Sequence, residues 1–166
     1  MKILPLPSID RLNQLFIIDA VAGVLTAKTT RGRRIAGTVV GTPNDEGRLI
    51  CRVDYKIYYV HRILWKMYYG CDPVDLIDHG DRKTDSNGIR NLRDANISQN
   101  GMNRRVNYNT KSGLKGAHWS SSEGKWRSSI KKDGKSTHLG WFKTKEDAHA
   151  AYKAASKETF GEFSCS

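Results

Sequence analysis

Cysteine is scarce in this sequence: three residues, Cys51, Cys71 and Cys165, in a chain of 166. The number is odd and no two form a C-x-x-C pair, which argues against a disulfide framework and a structural zinc site and suits a reducing, cytoplasmic setting. Long apolar runs are also missing. No stretch approaches the roughly 20 residues that a membrane span needs, so residues 15–24 read as a buried segment and no membrane partner is expected. The N-terminus has no basic region followed by an apolar stretch and a small-residue cleavage site, so export is not expected. Hydrophobic residues make up only 38%, little for one large core, and the length allows one ordinary domain or two small ones.

Positive charge is what the chain has in excess, +11 formally, and it is unevenly spread. Residues 1–50 carry 7 Lys and Arg against 4 Asp and Glu, residues 51–100 carry 8 against 7, and residues 101–166 carry 13 against 6. A basic final section suits a polyanion, because each phosphate contact releases condensed counterions. The near-neutral middle points elsewhere. Acidic residues in a phosphate-binding protein are repelled by the ligand unless something positive, such as a metal ion, sits between them.

The fold class read from the pattern is α+β. The first 60 residues show short strand-like stretches at 15–19, 23–28 and 37–41, then a hairpin from 48–55 and 56–60. Arg31, Arg33 and Arg34 fall in a loop where they could touch phosphate, though a solvated loop is the preferred reading. Val60, Ile63, Leu64 and Met67 have the spacing of one helix face, and Gly70 closes a helix over 60–69. His61, at its start, is open to two readings, a packed histidine or a phosphate contact. A strand at 75–79, a polar loop at 80–90, a second strand at 91–94 and a helix at 97–104 follow, the last opened by Asn96 with Gln99 three residues on. Residues 105–112 read as a basic linker. Strands at 114–119, 125–131 and 136–143, with Asp133-Gly134 as a hairpin turn, then precede a helix capped by Thr144. The expected division is 1–104, 105–112 and 113–166.

Phosphodiester hydrolysis needs an activated water, charge neutralisation at phosphorus and stabilisation of the departing oxygen. Asp78 and His79 are adjacent and alternate across a strand, so one can hold a metal while the other handles water. Asn100 adds a neutral oxygen. A carboxylate and an amide oxygen with open water positions suit Mg²⁺ or Mn²⁺ rather than zinc.

The string His61-Arg62-Ile63-Leu64-Trp65, Ile77-Asp78-His79, Asn87, Asn91-Leu92-Arg93 and Ser98-Gln99-Asn100 resembles the HNH endonuclease family. It is most similar to the phage and intron-associated homing endonucleases with Asn in the third motif position. The resemblance covers roughly residues 50–107 and implies a β-rich N-terminal part leading into a ββα-metal nuclease fold. It implies that His79 is the general base, that Asp78 and Asn100 bind one divalent cation, and that Asn91 orients His79 through hydrogen bonds to or across its backbone. The products implied are 5′-phosphate and 3′-hydroxyl ends on double-stranded DNA, commonly by nicking, from a monomer or a dimer on a palindrome, inside a phage-infected host cell. Relatives usually place an apolar residue and an Asn-Gly or Asp-Gly turn after Asp-His, where this chain has Gly80-Asp81-Arg82.

Leu114-Lys115-Gly116, Trp126, the run from His138 through Phe142, Ala148, Ala151-Tyr152 and the run from Phe160 through Phe163 resemble the AP2/ERF DNA-binding domain over residues 113–163. This implies a three-stranded antiparallel sheet on one helix, with the sheet in the major groove. Strand alternation puts Lys125, Arg127, Ser129 and Lys131 on one face and Trp126, Ser128 and Ile130 on the other. Phosphate positioning falls to Lys125, Arg127 and Lys131, and the resemblance adds His118, Ser120, Ser136 and His138 as DNA contacts. Two other readings remain: an AP2-type DNA-binding regulator whose HNH region is only a scaffold, and a repair or RNA-processing nuclease.

Overall fold

The computed structural model describes residues 4–104, 106 and 110–164. Of the expected linker 105–112, residues 105 and 107–109 lie outside the described residues, as does Cys165. The chain forms two units, Met1–Asp94 and Ala95–Ser166. Helices and small antiparallel sheets are mixed throughout, as an α+β reading expects. Among the described residues no helix is long and apolar enough to cross a membrane.

The first unit opens with helix α1 (Ile9–Leu15), whose N-cap Ser8 accepts a hydrogen bond from the Arg11 amide at 3.2 Å. The sequence reading has no helix here. Only two inward positions, Leu12 and Leu15, mark its apolar face, too few to set a helical period apart from a strand. Leu15 therefore leaves the expected strand, and β1 (Phe16–Asp19) pairs antiparallel with β2 (Val24–Ala27), Phe16 opposite Ala27. Asp19 Oδ1 accepts from the amides of Val21 at 3.1 Å and Ala22 at 2.9 Å and closes the turn. The expected strand at 37–41 is not one. Gly37 and Gly41 take φ of 82° and 140°, which breaks the extended run, and Val39 makes only an isolated bridge to Thr26.

Strands β3 (Thr42–Pro43), β4 (Leu49–Val53) and β5 (Lys56–Tyr59) form a three-stranded sheet in chain order. Asp54 and Tyr55 join β4 to β5 with φ of 44° and 67°, the positive values that a two-residue hairpin turn demands. Helix α2 (Val60–Tyr69) follows at once and ends where Gly70 turns left-handed, as its spacing predicts. Val60, Ile63 and Leu64 join Leu12, Phe16, Leu25 and Val53 in the main core of this unit. A smaller cluster of Ile77, Ile89 and Leu92, with Trp65 against it, lies under β6 (Leu76–His79) and β7 (Leu92–Ala95), which pair as a two-stranded sheet.

In the second unit Asn96 caps helix α3 (Ile97–Asn103) through a reciprocal pair: the Gln99 amide donates to Asn96 Oδ1 and the Asn96 amide to Gln99 Oε1, both at 2.8 Å. Met102 of α3 packs against Ala95, Ile130, Tyr152, Phe160 and Phe163, so α3 is part of this unit, whereas the sequence reading groups it with the residues before it. Strands β8 (Ala117–Ser120), β9 (Lys125–Lys132) and β10 (Lys135–Phe142) form an antiparallel sheet in the order β10-β9-β8. Strand β8 starts three residues later than expected. Gly116 precedes it at φ 74°, where an added Cβ would lie 2.1 Å from the Tyr152 ring. Helix α4 (Lys145–Phe160), capped by Thr144, buries Ala148, Tyr152, Ser156 and Phe160 at four-residue spacing. The sheet turns Ala117, Ser128 and Ile130 inward, each buried.

Candidate functional site

Asp78 and His79 end β6, and alternation sends their side chains opposite ways, yet both are buried, at 5% and 4% exposure. Asp78 Oδ2 accepts from Arg93 Nη2 at 2.5 Å, an ion pair across the β6–β7 sheet. The His79 ring lies edge-on to His61, centroids 5.1 Å apart, and its Nε2 is 3.0 Å from Asn87 Oδ1, which is itself buried. In the tautomer where Nε2 donates to that amide oxygen, Nδ1 carries the lone pair a general base needs.

The loop between β6 and β7 is held by Asn91. Its backbone oxygen accepts from the Gly80 amide at 2.9 Å. Its side-chain oxygen accepts from the Asp81 amide at 2.9 Å, and its Nδ2 donates to Asp81 Oδ1 at 2.9 Å and Ser86 O at 2.7 Å. Asn91 thus ties the segment just after His79 to the far end of the loop, while the partner of the His79 ring is Asn87. Asn87 belongs to the motif string but has no role assigned from sequence, because nothing in the spacing says which of two loop asparagines faces the ring. Burial pushes the Asp81 carboxyl up, but hydrogen bonds from the Lys83 amide, Asn91 and Ser86 outweigh it and hold the group below its usual range. The Gly80-Asp81-Arg82 run is therefore an organised turn, with the Arg82 amide donating to His79 O at 2.9 Å.

The β1–β2 turn braces the same loop. The Ile89 amide donates to Ala20 O at 2.8 Å, and Gly23, at φ 69°, sits so close that a Cβ there would lie 2.2 Å from the Asn87 carbonyl carbon.

His61 proves to be a packed histidine: 3% exposed, stacked on Tyr59 with centroids 5.2 Å apart, and with Nδ1 lacking a hydrogen-bond partner among the described residues. Burial above all, then the neighbouring His79, Arg48 and Arg62 charges, hold its pKa well below 6.5. The sign follows. The unfolded ring takes a proton below pH 6.5 and the folded one does not, so its contribution to stability is full above that pH and declines as pH falls, by about 1.4 kcal/mol per unit. Replacing His61 with Phe should flatten this part of the pH–stability curve in chemical denaturation. An unchanged slope would show that His61 is not the group responsible.

Asn100 lies half-buried on α3 in the second unit. Among the described residues no group of three or more His, Cys, Asp or Glu is assembled. On the second unit's sheet, His118 faces Arg127, Ser120 faces Lys125, Ser136 faces Lys131 and His138 faces Ser129 across the strands. His118, Lys125, Arg127, Lys131, Ser136 and His138 are exposed. The register shifts between His138 and Gly140, a bulge that brings Trp141 opposite Arg127 and onto the same face. Its ring lies 5.2 Å from that of His138 and is 42% exposed. Simple alternation from His138 sends Trp141 inward, so sequence reasoning misses it.

Comparison with curated proteins and with solved structures yields no match. Residues 58–102, which hold Asp78, His79, Asn87, Asn91 and Asn100, match the HNH endonuclease family, and such a domain suggests nuclease activity on DNA.

Proposed function

We propose that this chain is a divalent-cation-dependent DNA endonuclease of the homing type that nicks one strand and grips the duplex with the outer face of β8–β10. The observation that carries the reading is the buried His79–Asn87 pair, 3.0 Å apart, beside Asp78 in the matched segment. His79 takes the proton of the attacking water at Nδ1, and Asn87 holds the ring in that tautomer. Asn91 fixes the loop through which His79 is presented. By the family resemblance, Asp78 and Asn100 would hold the Mg²⁺ or Mn²⁺ ion. The donor set fits a hard ion, since both side chains offer oxygen. When bound, the ion supplies charge neutralisation at phosphorus and stabilisation of the leaving 3′ oxygen, which yields 5′-phosphate and 3′-hydroxyl ends. One His79 per chain suits nicking by a monomer.

The grip is read as AP2-like. The three-stranded antiparallel sheet backed by α4 supports it, as does the exposed outer row of Lys125, Arg127, Lys131, His118 and His138. Phosphate contacts from the three cations position the duplex. Replacing Lys125, Arg127 and Lys131 together with Gln should make the slope of log affinity against log salt shallower by about 3, read by anisotropy with a labelled duplex. An unaltered slope would remove this face from the binding surface.

Activity is tested on supercoiled plasmid with Mg²⁺ or Mn²⁺, with and without EDTA. Open circles form with metal and not with EDTA. Failure to relax plasmid in either metal, or cleavage that survives EDTA, would overturn the reading.

A further inference from the structure

The first unit carries a basic cavity, used neither by the set around His79 nor by the β8–β10 face. Its volume is about 440 Å³, and Arg31, Arg33, Arg34 and Arg52 line it together with Asp54 and Tyr55. Three of the four arginines leave one tight hairpin: the Arg31 amide donates to Arg34 O at 2.8 Å and the Arg34 amide to Arg31 O at 3.2 Å, with Gly32 at φ 60° between them. Arg34 is pinned, its Nη2 donating to Arg52 O at 2.6 Å and its guanidinium 5.0 Å over the Phe16 ring. The one lining carboxylate is already engaged. Arg11 donates to Asp54 twice, at 2.9 and 2.7 Å, and Arg31 once, at 3.3 Å. Arg33 and Arg52 are exposed and form no ion pair among the described residues. Four arginines thus line a cavity whose one carboxylate is already paired with Arg11 and Arg31, which leaves it a net positive charge that favours entry of an anion.

Tyr55 adds a second, independent signal. It is 92% exposed at the tip of the β4–β5 turn, in a left-handed conformation at φ 67°. Glycine or asparagine meets that demand without strain, and a fully exposed ring contributes nothing to the core. An aromatic ring beside a cluster of arginines matches a sugar–phosphate backbone, whose phosphates take the guanidinium forks and whose sugar or base offers an apolar face.

We infer that this arginine pocket is a second phosphate site, which holds the backbone of the DNA duplex on the first unit with Tyr55 against the adjoining sugar. The inference rests on the reading of DNA as substrate and adds a grip to the unit that carries His79. The test uses the full chain carrying His79→Ala, to prevent cleavage, and a labelled duplex titrated over a salt series. Adding Arg33→Gln with Arg52→Gln should weaken binding roughly tenfold and make the salt slope shallower by about 2. Tyr55→Gly should weaken binding about threefold while leaving the melting temperature unchanged or higher. If the parent binds and these variants bind equally, with the same slope, the inference alone is overturned. Failure of the parent to bind duplex overturns the DNA reading and this site with it. If inorganic phosphate binds the parent and not the Arg33→Gln/Arg52→Gln variant while duplex binding is identical in both, the pocket takes a free anion and its assignment to duplex is overturned.

Discussion

His79→Ala should lower plasmid nicking by roughly a thousandfold, within the range of 10²–10⁴ that general-base catalysis supplies. Duplex affinity should stay within about twofold, because in the proposed mechanism the ring meets the attacking water rather than the phosphates that position the duplex. The loss should be a loss of turnover at saturating DNA, as for a group whose work is done in the transition state. Asn87→Ala separates the base from the group that holds it. Without the amide oxygen 3.0 Å from Nε2, either ring nitrogen can carry the proton, so activity falls, but by less than in His79→Ala. The pair gives a thermodynamic cycle. If Asn87 acts through His79, the double variant should nick no more slowly than His79→Ala alone. Full additivity would assign Asn87 a separate role, and nicking by His79→Ala at the parental rate would remove His79 as the base.

The helices and strands that the sequence makes legible are those with a strong local signal. Helix α2 has four apolar positions at helical spacing and a glycine stop, and its observed bounds, Val60–Tyr69, are the expected ones. The capping box at Asn96 and the Thr144 cap are similarly local, and both are present. Helix α1 lacks such a signal, and 37–41 is apolar enough for a strand but is broken by two glycines whose φ only the fold decides. The candidate site divides the same way. The family resemblance points to Asp78, His79 and Asn91, but Arg93 as a partner of Asp78 depends on cross-strand pairing, and Asn87 as a partner of His79 on the path of a polar loop. Trp141 reaches the outer face through a bulge, and a one-residue bulge reverses the side of everything after it. The arginine pocket joins residues 31–34 to 52–55, a pairing that no local pattern announces.

Gly23→Ala should cost about 3–5 kcal/mol of the first unit's stability, because two penalties add. An Ala at φ 69° is strained whatever the space around it. Its Cβ would also meet backbone, 2.2 Å from the Asn87 carbonyl carbon and 2.3 Å from the Gly88 amide nitrogen, where no side chain can swing aside. Relief requires the β1–β2 turn and the loop to part, which strains the Ile89–Ala20 hydrogen bond and carries Asn87 away from His79. Denaturant titration should therefore show a lower midpoint for the first unit, and the fraction that remains folded should nick more slowly than the parent at equal folded concentration. The second reading separates this residue from an ordinary packing glycine. Ala at Gly47, whose Cβ would meet only the Thr84 hydroxyl at 3.3 Å, shares the left-handed strain without touching Asn87. It should lower stability by about 1 kcal/mol and leave the turnover of folded protein unchanged. Equal turnover in the Gly23 and Gly47 variants would show that the turn supports the fold of the loop but not the placement of the base.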